Sequence, residues 1–135
     1  MKKRVLILCT SNSARSQMAE GLLRHFGGAN YEVHSAGTYP STVNPFAIEV
    51  MREIGVDISS HRSKRAAEFS NQQFDTVITV CDSAAKECPV FPGSAECIHW
   101  SLPDPAVVAG SHETKLAAFR RVRDELAKRL GEFLS

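Results

Sequence analysis

No apolar run in this 135-residue chain approaches the ~20 residues that a membrane-spanning helix requires. The nearest thing to a secretory leader is Met1-Lys2-Lys3-Arg4 followed by Val5-Leu6-Ile7-Leu8. Its apolar stretch is too short, and polar Thr10-Ser11-Asn12-Ser13 follow directly after Cys9. A cytoplasmic location is therefore the expectation. Neither sign of charge is in excess. Sixteen Lys and Arg against fifteen Asp and Glu leave +1, which gives no support for nucleic acid or a membrane surface as a partner. The four cysteines include no Cys-x-x-Cys pair, and His25, His34, His61, His99 and His112 are scattered rather than grouped with them, so a zinc site is not expected. In a reducing compartment the same thiols argue against a static disulfide framework and for redox or nucleophilic chemistry. Internal repeats, linkers and low-complexity tracts are also lacking.

What is present is ordinary globular composition, 43% hydrophobic and 23% charged, at a length suited to one domain over residues 1–135. Arg4 to Leu8 reads as a strand buried on both faces, as in a parallel sheet. A helix follows from about Arg15 to Phe26, with Met18, Leu22, Leu23 and Phe26 at core spacing and Gly27-Gly28 as its stop. Glu32 to Ala36 reads as a second strand. Asn44-Pro45 is an N-cap and first helical residue, and the helix beyond it carries Ala47, Val50, Met51 and Ile54 on one face. Residues 56–73 are polar and irregular, and the basic stretch Ser59 to Arg65 reads as a solvated loop or short helix. Asp75 to Val80 and Glu96 to Trp100 are the third and fourth strands, with Cys97 expected in the core. The last helix runs from near Ser111 to Phe133 with Leu116, Phe119, Val122, Leu126, Leu130 and Phe133 as its apolar stripe. Strands alternating with helices give an α/β fold with a four-stranded parallel sheet flanked by helices. Ligands of such sheets sit beyond the carboxyl ends of the strands, where Cys9, Cys81 and the Pro103-Asp104-Pro105 loop all fall.

The segment Cys9-Thr10-Ser11-Asn12-Ser13-Ala14-Arg15-Ser16 is the chemical centre of the chain. A thiol, small polar residues, an arginine and a hydroxyl stand where a buried strand turns into a helix. Loop N–H groups and the helix dipole favour an anion there, and Arg15 adds a planar fork for two oxygens. The same field lowers the pKa of Cys9 toward the reactive thiolate. Asn12 tolerates the left-handed backbone that curls such a loop, and Ser16 can donate to the charged sulfur. Attack on an oxyanion needs an acid for the departing oxygen, and Asp104, stiffened by prolines 103 and 105, is the candidate.

The Cys-x5-Arg-Ser run, Gln17-Met18-Ala19-Glu20-Gly21, Ser35-Ala36-Gly37, Val80-Cys81-x6-Cys88-Pro89 and the late Asp-Pro loop resemble the low-molecular-weight protein tyrosine phosphatase superfamily over nearly the whole chain. Within it they are most similar to the bacterial arsenate reductases that share that fold. The resemblance implies that Cys9 attacks arsenate, with phosphate as a competitor, while Asp104 protonates the leaving oxygen. It implies that Cys81 then attacks the Cys9 sulfur to release arsenite, and that Cys88 attacks Cys81 and carries the disulfide outward to thioredoxin. No cofactor is implied. Were residues 81–88 helical, the two Cα atoms would lie about 10.5 Å apart. A disulfide tolerates no more than about 7 Å, so the segment must rearrange to form the bond.

Ala14 stands where some relatives have a further cysteine. Lys64 stands where some reductases have an acidic residue contributing to a potassium site, so that ion is not expected. Ala106 replaces the aromatic residue that tyrosine phosphatases place after the Asp-Pro pair, which argues against phosphotyrosine as substrate. The competing readings are a small phosphatase acting through a cysteinyl-phosphate and a non-enzymatic thiol switch.

Overall fold

In a computed structural model, which describes residues 2–69, 71–80 and 96–134, Val5 to Leu8 are entirely buried, as their unbroken apolar run requires. They belong to β1 (Lys3–Cys9), which pairs in parallel with β2 (Tyr31–Gly37) on one side and β3 (Thr76–Thr79) on the other. β4 (Glu96–His99) pairs in parallel with the outer edge of β3, giving the order β2-β1-β3-β4. The register sets Cys9 opposite Gly37 at the carboxyl end of the sheet.

The helices among the described residues are α1 (Arg15–Gly27), α2 (Pro45–Arg52) and α3 (His112–Leu134). α1 packs on β1 and β2, and α3 packs on α1 and α2. Met18, Leu22 and Leu23 of α1, Val50 and Met51 of α2, and Leu116, Phe119, Val122, Leu126 and Leu130 of α3 close the core over the sheet. The Asn44 side chain accepts the Phe46 N–H at 2.8 Å and Pro45 opens α2, as the Asn-Pro pair predicts. None of these helices is long and apolar enough to cross a membrane.

α2 and α3 are clamped by charge. The Glu53 carboxylate accepts from Arg120 at 2.7 Å and from Arg123 at 2.9 Å, and Arg123 also donates to the Val50 carbonyl. The Arg120 hydrogen bond first, then that of Arg123, hold the Glu53 carboxyl at a pKa of about 2, below its ordinary 4.5. A depressed carboxylate pKa stabilises the fold above about pH 4.5, and that contribution disappears as the pH falls toward 2. Because the pair is a third exposed, Glu53→Gln should cost about 1 kcal/mol at neutral pH, or about 4 °C in Tm. Thermal melts at pH 7 and near pH 2 check this: the gap from wild type should close in acid, and an equal gap at both pH values would contradict it.

Several expectations are corrected. Phe26 is 47% exposed because it lies in the last turn of α1, beyond the sheet it was expected to cover, and Ile54 is 41% exposed because α2 has already ended at Arg52. Cys97, expected in the core, is exposed because β4 is the edge strand. Phe133 is only partly buried. Residues 56–73 are not uniformly polar surface: Val56, Ile58, Ala66 and Phe69 are buried, with Ala66–Phe69 forming a 3-10 turn.

Candidate functional site

The recess lies where β1 ends and α1 begins. Between them Asn12 takes φ +48°, the one positive value among the described non-glycine residues, and this turns the loop back on itself. A wall formed by residues 38–44 lies along the loop. Its N–H groups donate to the carbonyls of Cys9 (from Thr38, 3.3 Å), Thr10 (from Tyr39, 2.8 Å), Ser11 (from Ser41, 3.1 Å) and Ser13 (from Asn44, 2.9 Å). In a trans peptide the next N–H points opposite to the carbonyl. The amides of residues 10, 11, 12 and 14 are therefore turned away from that wall, the arrangement that gathers donors around an anion.

The recess is about 40 Å³ and is lined by Cys9, Ser11, Ser13, Ala14, Arg15, Asp104 and Ala106. At roughly 10–15 Å³ per water, it has the scale of a small tetrahedral oxyanion. Cys9 is 2% exposed, at the end of its strand. Arg15, the first residue of α1, donates from Nη1 to the Leu102 carbonyl at 3.0 Å and brings Nη2 to 3.7 Å from Asp104 Oδ2. The other Asp104 oxygen accepts the Ala106 N–H at 2.9 Å and caps the 3-10 turn Pro105–Val107. One carboxylate oxygen is thus fixed in the turn while the other faces the arginine.

Of the residues expected to bind substrate, Ser11, Ser13, Ala14 and Arg15 line the recess, and Thr10 joins it to the wall. Asn12 and Ser16 are fully buried, and their side chains support the loop from beneath. Asn12 Nδ2 donates to Ser16 Oγ at 2.8 Å and to Ser35 Oγ at 2.9 Å. Asn12 Oδ1 accepts from Gln17 Nε2 at 2.9 Å and from the Lys64 N–H at 2.8 Å.

The basic stretch Ser59 to Arg65 is solvated in part, with Ser59, Ser60, Arg62 and Arg65 exposed, but half-buried His61, Ser63 and Lys64 make it a buttress for the loop. Ser63 Oγ donates to the Ser11 carbonyl, His61 Nδ1 lies 3.1 Å from Gln17 Oε1, and Lys64 Nζ reaches Glu20. Burial pushes both the His61 imidazolium and the Lys64 ammonium below their ordinary pKa values, with Glu20 opposing. Gln17, Glu20, Ser35 and Lys64 carried no assigned role in the sequence reading. A signal was available, because Gln17, Glu20 and Arg24 form a polar stripe at i, i+3 and i+7 on a helix whose other face is apolar.

Cys81 and Cys88 lie outside the described residues. The residue before Cys81 does not: Val80 N–H donates to the Leu8 carbonyl at 2.9 Å, beside the residue before Cys9. Cys97 is not among the recess residues. Among the described residues no group of three or more His, Cys, Asp or Glu side chains could hold a metal.

The description of the low molecular weight phosphotyrosine protein phosphatase family fits residues 4–135. A protein named arsenate reductase from Halalkalibacterium halodurans is 46% identical over 132 residues, covering 98% of this chain and 95% of its own. A solved structure described as an arsenate reductase in the phosphate binding state superposes with a TM-score of 0.84 at 34% identity, covering 97% of this chain and 95% of that one. A thioredoxin-dependent arsenate reductase from Corynebacterium glutamicum superposes with a TM-score of 0.74 at 29% identity, over 98% of this chain and 60% of that one.

Proposed function

The chain belongs to the low molecular weight phosphotyrosine protein phosphatase family and, within it, to the arsenate reductases, and from that membership we propose that it reduces arsenate through a three-thiol relay of Cys9, Cys81 and Cys88, regenerated by thioredoxin. The observation that carries this reading is the recess itself. It sets a buried thiol at the end of a strand, loop amides around it, and Arg15 with Asp104 at its side.

Arsenate enters in place of bulk anions, its oxygens held by the loop amides and by Arg15. The Cys9 thiolate attacks arsenic, and Asp104 gives a proton to the oxygen that leaves as water. Cys81 then attacks the Cys9 sulfur. A sulfur–sulfur bond forms, the sulfur–arsenic bond breaks, and its electron pair stays on arsenic, which departs as arsenite. Cys88 attacks the Cys81 sulfur, expelling the Cys9 thiolate, and two electrons from thioredoxin reduce the Cys81–Cys88 disulfide. The β1–β3 pairing supports the second step, because it leaves Val80, the residue before Cys81 in sequence, beside the strand that ends in Cys9.

Phosphate fits the same recess and is the expected competitor. A phosphotyrosine phosphatase reading is weaker, because Ala106 is the side chain that the turn after Asp104 brings to the recess, in place of an aromatic flank.

The test is arsenite formation with thioredoxin and thioredoxin reductase, followed by mass mapping of the disulfides. Cys81→Ser and Cys88→Ser, made singly, should each slow multiple turnover by about tenfold or more, to what an external thiol can supply. Undiminished turnover in either variant would rule out the relay.

A further inference from the structure

Beneath the oxyanion loop lies a charge cluster with no part in the chemistry above. The Glu20 side chain is 3% exposed and has two cations and an imidazole around it: Arg24 of its own helix at 3.2 Å, and Lys64 at 3.5 Å and the His61 ring at 3.6 Å from the adjoining segment. β2 adds the Ser35 hydroxyl, which donates to Glu20 Oε1.

We propose that Lys64 and Glu20 are positioning residues, whose buried ion pair fixes the direction of the hydrogen-bond chain that holds Asn12, and through it the oxyanion loop, in shape. The inference rests on reading the Cys9 loop as an oxyanion site. A serine hydroxyl has one proton, and Ser35 gives it to Glu20, so the Ser35 oxygen is left to accept from Asn12 Nδ2. With its NH2 group committed there, Asn12 presents Oδ1 to the Lys64 N–H and to Gln17. This sense is enforced only while Glu20 is an ionised acceptor. Lys64 at 3.5 Å and Arg24 at 3.2 Å supply the countercharge that a buried carboxylate needs, and of the two side chains Lys64 is the more buried.

Lys64 is held for that task. Its Nζ also donates to the Arg62 carbonyl at 3.0 Å, and its own carbonyl accepts the Gly37 N–H at 2.8 Å. One residue therefore ties α1, β2 and the Asn12 side-chain oxygen into a single network. Members of such a network act as a unit, so their substitutions should not add.

Two readouts avoid arsenate turnover: phosphate binding by calorimetry, and the pH profile of Cys9 alkylation followed on its own peptide by mass spectrometry. Lys64→Met and Glu20→Gln should each weaken phosphate binding about tenfold and move the midpoint of the Cys9 profile up by about one pH unit. The double variant should be no worse than either single one, and Lys64→Arg, which keeps the charge, should recover most of the affinity. Losses that multiply to about a hundredfold in the double variant, or singles that bind like wild type, would overturn the inference while leaving the oxyanion site standing. Absence of phosphate binding in the wild type would instead overturn the oxyanion reading, and this inference with it. Should the variants not fold, carboxyl carbon NMR of wild-type Glu20 decides the matter: an ionised carboxylate from pH 5 to 8 is required, and a protonated one refutes the proposal.

Discussion

Cys9→Ser should abolish arsenate reduction, with kcat falling by about 10⁴-fold or more while phosphate affinity stays within about threefold. The two halves of this expectation have separate physical causes. In the proposed mechanism binding depends on backbone amides turned away from the wall of residues 38–44 and on Arg15, none of which the substitution touches. Chemistry depends on sulfur twice. The proposed nucleophile is a thiolate, which the positive field of a loop and helix start favours, whereas a serine hydroxyl has no comparable route to its anion. Even a seryl arsenate ester would be a dead end, because the proposed relay needs a sulfur for Cys81 to attack, so that the bond to arsenic breaks with its electron pair left on arsenic. Stopped turnover with phosphate binding retained is therefore the signature. Residual reduction above about one per cent of wild type would mean that another thiol makes the first attack. Loss of phosphate binding would mean that the sulfur shapes the loop itself.

How far the site could be read from the sequence follows from where its information lies. β1, the turn into α1, the left-handed Asn12 and the Asn44 cap are local: hydrophobic runs, a tolerated backbone angle and a side-chain cap are all written within a few residues of each other. The gathering of Cys9 and Asp104 on one rim is topological, and a parallel α/β pattern was enough to predict it. The buttress was different. Ser59 to Arg65 looks like solvated surface, because a basic, polar run carries no sign of what it will face. The half-burial of His61 and Lys64 within it depends on Glu20 and Gln17, which are more than forty positions away along the chain in their contacts with His61. The same limit explains Cys97. Alternation within β4 says that one face is inward, but not that β4 is the edge of the sheet.

Gly37→Ala tests the other essential property, the shape of the loop, without touching a reacting group. The register of β1 and β2 sets Gly37 against Cys9, and the loop then folds directly over it. A Cβ at this position would lie 2.5 Å from the Thr10 oxygen, 2.8 Å from the Asn12 nitrogen and 3.0 Å from the Ser11 carbonyl carbon. These are backbone atoms, held from behind by Tyr39, Ser41 and Ser63, so no side-chain tip can swing aside to make room. The loop must move as a unit by some tenths of an ångström, and it carries the amide donors with it. A misplacement approaching 1 Å costs about 10²-fold in catalysis, so kcat/KM for arsenate should fall by about that much or more, with phosphate binding weakened in parallel. The accompanying loss of stability should be about 1–3 kcal/mol, the usual range for overpacking. Gly131→Ala is the control, since a Cβ there meets nothing within 4 Å and the residue lies in the last turn of α3; it should leave activity unchanged and move Tm only slightly upward. Wild-type kcat/KM in Gly37→Ala would show that the loop tolerates a displacement that its hydrogen bonds oppose, and oxyanion recognition would then have to rest on Arg15 rather than on the backbone.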